Sequence, residues 1–152
     1  QDYIQELSRV LRYTLQSNES QSVSLREEME FASAYIFLLK MRFENNLQFD
    51  IQIAKSFEDY RLPPMAVQVL IENAVKHNEI SDRKPLTIHI VTNNEGYLSV
   101  SNDIQPKRTA ASGTGIGLVN LAKRYRLLFK QDIQITEDKE FSVCIPLIDE
   151  VQ

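Results

Sequence analysis

The sequence has few of the features that mark secreted or membrane-embedded proteins. Cys144 is its only cysteine, which excludes an internal disulfide and suits a reducing compartment. Because Cys144 lies in an apolar alternating run without a neighbouring His or cation, a packed strand cysteine is favoured over a nucleophile. There is no signal peptide, and no apolar run approaches the roughly 18 residues of a membrane-spanning helix.

An excess of charge of one sign is also missing. The 17 basic and 21 acidic side chains leave a net charge of −4, so no overall field attracts nucleic acid or anionic lipid, and no nucleic-acid partner is expected. With 152 residues, 43% of them hydrophobic and 25% charged, the chain is typical of one globular domain with a short appended element. The first residue is Gln rather than Met, which indicates a fragment whose sensory or membrane-spanning parts could lie upstream.

The N-terminal third predicts two helices. Over residues 1–17 an apolar stripe repeats with the helical period, and this amphipathic helix needs a partner surface. Its members are Ile4, Leu7, Val10, Leu11, Thr14 and Leu15. Ser24 and Glu27 form a capping-box pair that begins a second helix, which runs to about Asn45. The buried face of that helix is predicted to consist of Phe31, Ala34, Tyr35, Leu38 and Met41/Arg42.

The rest of the chain predicts paired strands separated by single helices. The strands are Leu47–Ala54, Leu86–Thr92, Tyr97–Ser101, Asp132–Thr136 and Phe141–Pro146, and the helices run from Leu62-Pro63-Pro64 to about Asn78 and over Leu118–Phe129. Adjacent strand pairs exclude a purely alternating parallel architecture. The predicted class is α+β: a two-layer α/β sandwich, a mixed sheet with helices on one face, preceded by a short N-terminal helix. The other sheet face is then covered by loops or left polar.

The first candidate site lies on the predicted helix that ends near Asn78. Asn73, Lys76 and His77 are three and four residues apart, so we expect them to project together, away from the apolar side of the helix. An amide oxygen can bind Mg²⁺ and an ammonium can meet phosphate oxygens. For the helix alone, a solvated polar face is the favoured interpretation.

The second candidate is the glycine-rich segment Gly113-Thr114-Gly115-Ile116-Gly117-Leu118, directly before a helix. Glycines let the backbone approach a polyphosphate, and a helix N-terminus offers free N–H donors. The spacing matches neither the Walker A motif nor the dinucleotide fingerprint. A flexible hinge is the plainer interpretation, but three of the four glycines of the chain fall within five positions.

The third candidate is the pair Asn102-Asp103, where a predicted strand ends and the polar loop 103–112 begins. A carboxylate or amide oxygen at this point could accept a hydrogen bond from an adenine amino group. Asn-Asp pairs are also common at the start of turns, so this signal is weak when taken alone.

Taken together and in this order, the three segments resemble the N, G1 and G2 boxes of the GHKL superfamily of ATP-binding domains. That group includes gyrase-type topoisomerases, a heat-shock chaperone, mismatch-repair ATPases and histidine kinases. The stretch from Pro64 to His77 resembles the Pro-x-x-x-Leu-Gln-x-Leu-Val-Glu-Asn-Ala-x-Lys-His pattern of LytS-type sensor kinases, and Gly113 through Tyr125 resembles their G2 region. Leu7 through Leu15 looks like the segment that follows their phosphoacceptor region.

The resemblance implies a Bergerat-type ATP-binding fold and a role for each matching residue. Asn73 would be the Mg²⁺ ligand, with Glu72 supporting the metal or its water shell. Lys76 and His77 would lie near the phosphates of ATP. The segment Gly113, Gly115, Gly117 and Leu118 would line the phosphate side, and residues 103–112 would form the ATP lid.

The resemblance also implies a reaction and a domain division. Such kinases transfer the γ-phosphate of ATP to a histidine and then to an aspartate of a response regulator. Residues 1–22 would end the dimerisation and phosphotransfer region, which pairs two chains in the intact kinase, and 23–150 would form the catalytic domain. The expected location is the cytoplasmic part of an inner-membrane sensor.

Two departures from the family pattern qualify these expectations. The G1 box usually carries an Asp that binds adenine, whereas the matching position here is Asn102, so either Asn102 or its neighbour Asp103 would accept the adenine bond. The Pro-His-Phe-x-x-Asn phosphoacceptor motif is absent. The histidines present, His77 and His89, lie in the N box and in a strand, so the fragment is not expected to phosphorylate itself.

Two alternatives to a kinase remain open. GHKL hydrolases place a water-activating Glu four residues before the Mg²⁺ Asn, but this chain has Val69 there, which cannot act as a base. A hydrolase is therefore disfavoured. A pseudokinase, which would use the fold as a nucleotide-binding or dimerisation module, is favoured only by the altered G1 box.

Overall fold

The computed structural model of the chain describes residues 3–17, 22–107 and 115–150. Within these ranges the helices are α1 (Tyr3–Ser17), α2 (Leu25–Phe43), α3 (Ala66–His77) and α4 (Ile116–Phe129). The strands are β1 (Val23–Ser24), β2 (Leu47–Gln52), β3 (Arg61–Leu62), β4 (Leu86–Thr92), β5 (Tyr97–Asp103), β6 (Gln134–Glu137) and β7 (Glu140–Pro146). None of these helices is both long and apolar enough to span a membrane.

The larger sheet contains five strands among the described residues, in the order β2-β4-β5-β7-β6. Strand β2 runs parallel to β4, and every other neighbouring pair is antiparallel. This mixed sheet confirms the predicted α+β class. The main boundary difference lies between β6 and β7, because Glu137 pairs with Phe141 and only Asp138-Lys139 is left as the connection.

A second, two-stranded sheet was not predicted from the sequence. Strand β1 pairs with β3 in antiparallel register, with Val23 opposite Leu62. Strands of two residues show no alternation, so periodicity could not reveal them. The pairing joins the start of α2 to the segment just before α3, and so brings together two helices that are distant in sequence.

Helices α2, α3 and α4 contribute to one hydrophobic core with a single face of the large sheet. Their core residues include Leu25, Ala32, Val67, Leu70, Ile71, Ala74, Leu121 and Tyr125, and those of the sheet include Ile88, Ile90, Leu98, Val100, Val143 and Ile145. The opposite face of the large sheet is polar, which is one of the two alternatives predicted for it. There Asp50, His89, Ser101 and Ser142 form one cross-strand row. His89 Nδ1 lies 2.9 Å from Asp50 Oδ2.

Helix α2 begins as predicted, and Phe31 and Ala34 of its predicted buried face are buried, with Tyr35 and Leu38 half-buried. Its capping box is present: the Glu27 backbone N–H donates to Ser24 Oγ at 3.1 Å, and the Ser24 N–H donates to Glu27 Oε1 at 3.3 Å. The prediction of Met41/Arg42 on the buried face is wrong, since Met41 is 53% exposed and Arg42 is exposed. Helix α2 contacts the core on one side and α1 on another, and Met41 and Arg42 lie outside both contact surfaces.

The predicted apolar stripe of helix α1 is covered only in part among the described side chains. The helix packs against α2, and Leu7 and Val10 are half-buried. Ile4 and Leu11 remain 71% and 55% exposed. The side chains of Thr14 and Leu15 lie outside the described set.

Helix α3 begins later than predicted. Pro63 and Pro64 were expected in its first turn, but both precede the helix, and Met65 at its N-cap adopts a left-handed conformation with φ of 68°. A residue that precedes proline disfavours the helical backbone conformation. Residues 62 and 63 each precede a proline, so the helix begins only after them. Helix α4 begins two residues earlier than predicted, at Ile116, immediately after Gly115.

Candidate nucleotide site

A cavity of about 380 Å³ lies between α3, the start of α4, strands β6 and β7, and the segment that follows β5. It brings together four of the residues singled out from the sequence: Asn73, His77, Gly115 and Leu118. Its other lining residues are Ala74, Asn78, Ile104, Pro106, Glu137 and Phe141. Residues from the N-box and G2-box segments, about 40 positions apart in the chain, therefore share one concave surface.

The apolar pattern of α3 turns Asn73 and His77 towards this cavity. Leu70, Ile71 and Ala74 are buried against the sheet and fix the rotation of the helix. Asn73 and His77 are four residues apart, so they lie one above the other beside that buried face. Both residues are half-buried, so part of each remains exposed to solvent.

Glu72 and Lys76 do not join Asn73 and His77. They line a separate cavity of about 980 Å³ on the α2 side of α3, and both are exposed. Lys76 therefore lines the neighbouring cavity rather than the one that contains Asn73 and His77. Residues 72 and 76 form their own row, about 100° around the helix from the row of 73 and 77.

The cavity that contains Lys76 has a strongly basic rim. Its cations are Arg42, Lys76, Arg83, Lys84 and Lys107, and its carboxylates are those of Glu72 and Glu79. This local excess of positive charge contrasts with the negative charge of the whole chain. The two cavities share Asn78 and Pro106, so they are immediate neighbours.

Asn102 and Asp103 lie on opposite faces of the sheet. Asn102 is 1% exposed, pairs with Ile88 and Phe141, and faces the helices. Asp103 is exposed and belongs to strand β5 rather than to the loop predicted to begin there. The Asn102 side-chain amide donates to the Asp103 carbonyl at 2.7 Å. Neither residue lines the 380 Å³ cavity, although Asn102 pairs with Phe141, which does.

The two glycines in the described part of the glycine-rich segment differ in backbone conformation. Gly115 is the N-cap of α4 and has φ of 72°, a left-handed conformation that favours glycine. A Cβ on Gly117 would lie 3.4 Å from Val69 Cγ1, an ordinary van der Waals contact, so an alanine can be accommodated where α4 meets α3. Gly113 and most of the predicted lid, residues 108–112, lie outside the described residues.

Asn78 is a site residue that the sequence analysis missed. It is 6% exposed, its side-chain amide donates to the Ala74 carbonyl at 2.8 Å, and its Oδ1 accepts from the Gln105 N–H at 2.7 Å. The Gln105 side chain in turn donates to the Glu79 carbonyl at 3.0 Å. These bonds tie the end of α3 to the segment that leads into the predicted lid. The available signal was an Asn directly after the helical pattern, a residue type that often ends helices.

We expect the two described glycines to respond differently to substitution. Gly115→Val should lower the free energy of unfolding by about 1–2 kcal/mol, because a branched side chain is strained at positive φ. Among the described residues other than its chain neighbours, no atom lies within 4 Å of an added Cβ there, so the expected effect is conformational. Gly117→Ala is the matched control within the helix, where alanine is the better helix former. Equal losses in urea denaturation of the two variants would contradict this interpretation.

Comparisons with known proteins agree with the resemblance found in the sequence. The family model described as histidine kinase matches residues 1–47. Sensor protein LytS of Streptococcus mutans is 34% identical over 151 residues, which cover 89% of this chain and 26% of the relative. Sensor protein kinase HptS of Staphylococcus aureus is 32% identical over 90 residues, which cover 59% of this chain and 17% of the relative. The chain thus spans about a quarter of the length of the LytS relatives it matches.

Solved structures of histidine kinases share the fold. The catalytic domain of histidine kinase ThkA, in a nucleotide-free form, superimposes with a TM-score of 0.57 at 18% identity, covering 84% of this chain and 99% of that domain. The cytoplasmic segment of histidine kinase QseC gives a TM-score of 0.56 at 9% identity, covering 85% of this chain and 78% of that structure. This chain is therefore a relative of the LytS-type sensor histidine kinases and has the fold of a histidine kinase catalytic domain.

Proposed function

We propose that this chain is the ATP-binding catalytic domain of a sensor histidine kinase, which transfers the γ-phosphate of ATP to a histidine outside this sequence. The observation that carries the proposal is the cavity shared by Asn73 and His77 of α3 with Gly115 and Leu118 of α4. An amide, an imidazole and the N-terminus of a helix meet there beside the apolar side chains of Ile104, Leu118 and Phe141. That combination suits a nucleotide, which has a flat apolar base and an anionic tail.

The polar groups of the cavity fit the anionic end of the ligand. The first N–H groups of α4 have no acceptor within their own helix, and the helix dipole places partial positive charge beside Gly115. In this proposal the Asn73 amide oxygen binds Mg²⁺, which usually keeps waters and phosphate oxygens as its other ligands. Among the described residues no cluster of three or more His, Cys, Asp or Glu forms a metal site, so the nucleotide itself would supply most of the ligands.

The remaining predicted residues receive more limited roles. Lys76 is proposed to meet the phosphate end of ATP from the neighbouring basic cavity, since the two cavities share Asn78 and Pro106. Asn102 is favoured over Asp103 as the adenine acceptor, because it faces the helices whereas Asp103 lies on the other face. The placement of Glu72 outside the Asn73 row gives no support for contact with the metal.

Phosphotransfer is favoured over hydrolysis by the position four residues before Asn73. Val69 occupies it, and its Cγ1 faces Gly117 at the junction of α3 and α4. A hydrocarbon side chain cannot deprotonate water. In the proposed reaction the bond between the γ-phosphorus and the β–γ bridging oxygen breaks, a phosphorus–nitrogen bond forms at the acceptor histidine, and ADP leaves. The chain then contributes mainly positioning and charge stabilisation.

The wider assignment follows from the same proposal. The phosphoryl group would pass to an aspartate of a response regulator, and residues 1–22 would continue the dimerisation region of a longer, membrane-anchored sensor. The exposed Ile4 and Leu11 support a further contact surface on α1. Residues 23–150 would form the catalytic domain, located in the cytoplasm.

Calorimetric titration with Mg-ATP tests the nucleotide site directly. We expect saturable binding to the 152-residue chain, with an affinity that falls when Leu118→Asp places a carboxylate in the cavity. Leu127→Asp is the matched control, because Leu127 lies on the same helix, is 81% exposed and does not line this cavity. Absence of binding at millimolar Mg-ATP would overturn the proposal and favour a pseudokinase.

A further inference from the structure

The carboxylate of Glu28 is buried at the point where helix α3 begins. Glu28 is completely buried within α2, and its two oxygens accept from the backbone N–H groups of Met65 at 2.8 Å and Val67 at 3.2 Å. Helix α3 has no capping side chain of its own, because the residue at its N-cap is Met65. A residue of another helix, about 40 positions earlier in the chain, therefore caps the helix that carries Asn73.

The buried charge has compensating partners. A buried carboxylate is costly unless hydrogen bonds and opposite charge offset its lost hydration. Two backbone donors and the positive end of α3 supply part of this compensation. Arg124 of α4 supplies more: burial lowers the pKa of its guanidinium, and attraction to Glu28 opposes that shift.

Arg124 also binds the segment in front of α3 directly. Its guanidinium donates to the Pro64 carbonyl at 2.7 Å, and its side chain is partly buried. Pro64, which precedes the N-cap residue of α3, is thus held by a residue in the C-terminal half of α4. Glu28 and Arg124 act on the same short stretch, residues 64–67, from two different helices.

These contacts define how α3 and α4 lie against each other. Arg124 donates to the carbonyl of Pro64, Val69 faces Gly117, and His77 shares the cavity with Gly115. Pro64 precedes α3, whereas Asn73, Ala74 and His77 line the cavity from the C-terminal half of that helix. The link to Arg124 and the cavity therefore lie at opposite ends of α3.

We propose that Glu28 and Arg124 are positioning residues that hold α3 and α4 in the alignment which the nucleotide cavity requires. Neither side chain lines the cavity, so their effect would be exerted through the two helices. A displacement of about 1 Å in such a pair is enough to weaken a preorganised site by orders of magnitude. This inference rests on the proposed function for its activity readout but has a structural readout of its own.

The activity test uses Arg124→Met, which removes the charge and the hydrogen bond but keeps much of the aliphatic length. We expect the affinity for Mg-ATP to fall about tenfold or more at a temperature where circular dichroism shows the variant fully folded. Arg124→Lys, which retains a charged donor, should recover a large part of the loss. Arg126→Met is the matched control, since Arg126 is exposed on the same helix and pairs only at the surface with Asp132 at 3.4 Å.

The structural test needs no nucleotide. Amide hydrogen exchange at Met65 and Val67 should accelerate in Glu28→Gln and in Arg124→Met, and should not change in Arg126→Met. If Arg124→Met does not fold, the comparison of Arg124→Lys with wild type by both measurements takes its place. Unchanged exchange at Met65 and Val67, or wild-type ATP affinity in folded Arg124→Met, would overturn the inference. If wild type binds no ATP while exchange responds as expected, the proposed function fails and the alignment role stands.

Discussion

Substitution of Asn73 by Asp is expected to abolish ATP-dependent phosphorylation in a longer version of the protein that includes its acceptor histidine. Asn73 lines the cavity together with His77 and Gly115. The change replaces a neutral amide by a carboxylate, which removes a hydrogen-bond donor and adds negative charge where the proposal places phosphates. The measurement is incorporation of labelled phosphate from ATP, followed with time.

The control for this experiment must change the same chemical group elsewhere. Asn94→Asp makes the identical substitution at an exposed position in the hairpin between β4 and β5, and should leave labelling intact. Stability of both variants is compared by thermal unfolding, so that a loss of label can be attributed to the site. Labelling that survives Asn73→Asp would remove the role assigned to Asn73.

Truncation of Ile71 to Ala is expected to have the largest effect on stability. Ile71 is completely buried, and it packs α3 into the core two residues before Asn73. Removing a buried isoleucine side chain down to alanine costs about 2–5 kcal/mol, through lost transfer free energy and the cavity left behind. Urea denaturation followed by circular dichroism measures the change in the free energy of unfolding.

A surface isoleucine provides the comparison. Ile116 is 61% exposed at the start of α4, so Ile116→Ala should change stability by no more than about 0.5 kcal/mol. Nucleotide affinity of Ile71→Ala is then measured well below its unfolding midpoint. Similar losses of stability in the two variants would contradict the assignment of Ile71 to the core.

Local patterns were sufficient where a signal repeats along one element. The strand predicted over Tyr97–Ser101 is confirmed as the first part of β5, in which the apolar Leu98 and Val100 are buried. The pair Ser24 and Glu27 predicted the start of α2 to the residue, because a capping box involves only contacts three positions apart. These interactions are complete within a few residues and therefore visible in sequence.

Contacts between distant segments escaped the sequence for the opposite reason. Nothing near Glu28 in the chain indicates that it caps α3, since its partners at Met65 and Val67 become neighbours only after folding. Asn78 likewise gains its role from Gln105, which lies 27 positions later. The exposure of Met41 was misjudged because helical periodicity shows an apolar stripe but not which structure covers it.

The sequence by itself determined the α-helices and the strands of the large sheet, although not all of their ends, and with them the α+β class. It also supplied the residue types of the proposed nucleotide site in the N-box and glycine-rich segments. Tertiary structure alone decided which of those residues meet: Asn73, His77, Gly115 and Leu118 share a cavity, whereas Lys76 and Glu72 line its neighbour. The physical reason is that local periodicity sets the angle between side chains around one helix. Where each side points depends on the packing of Leu70, Ile71 and Ala74 against the sheet, and on the position of α4, whose N-terminus contributes Gly115 and Leu118 to the cavity.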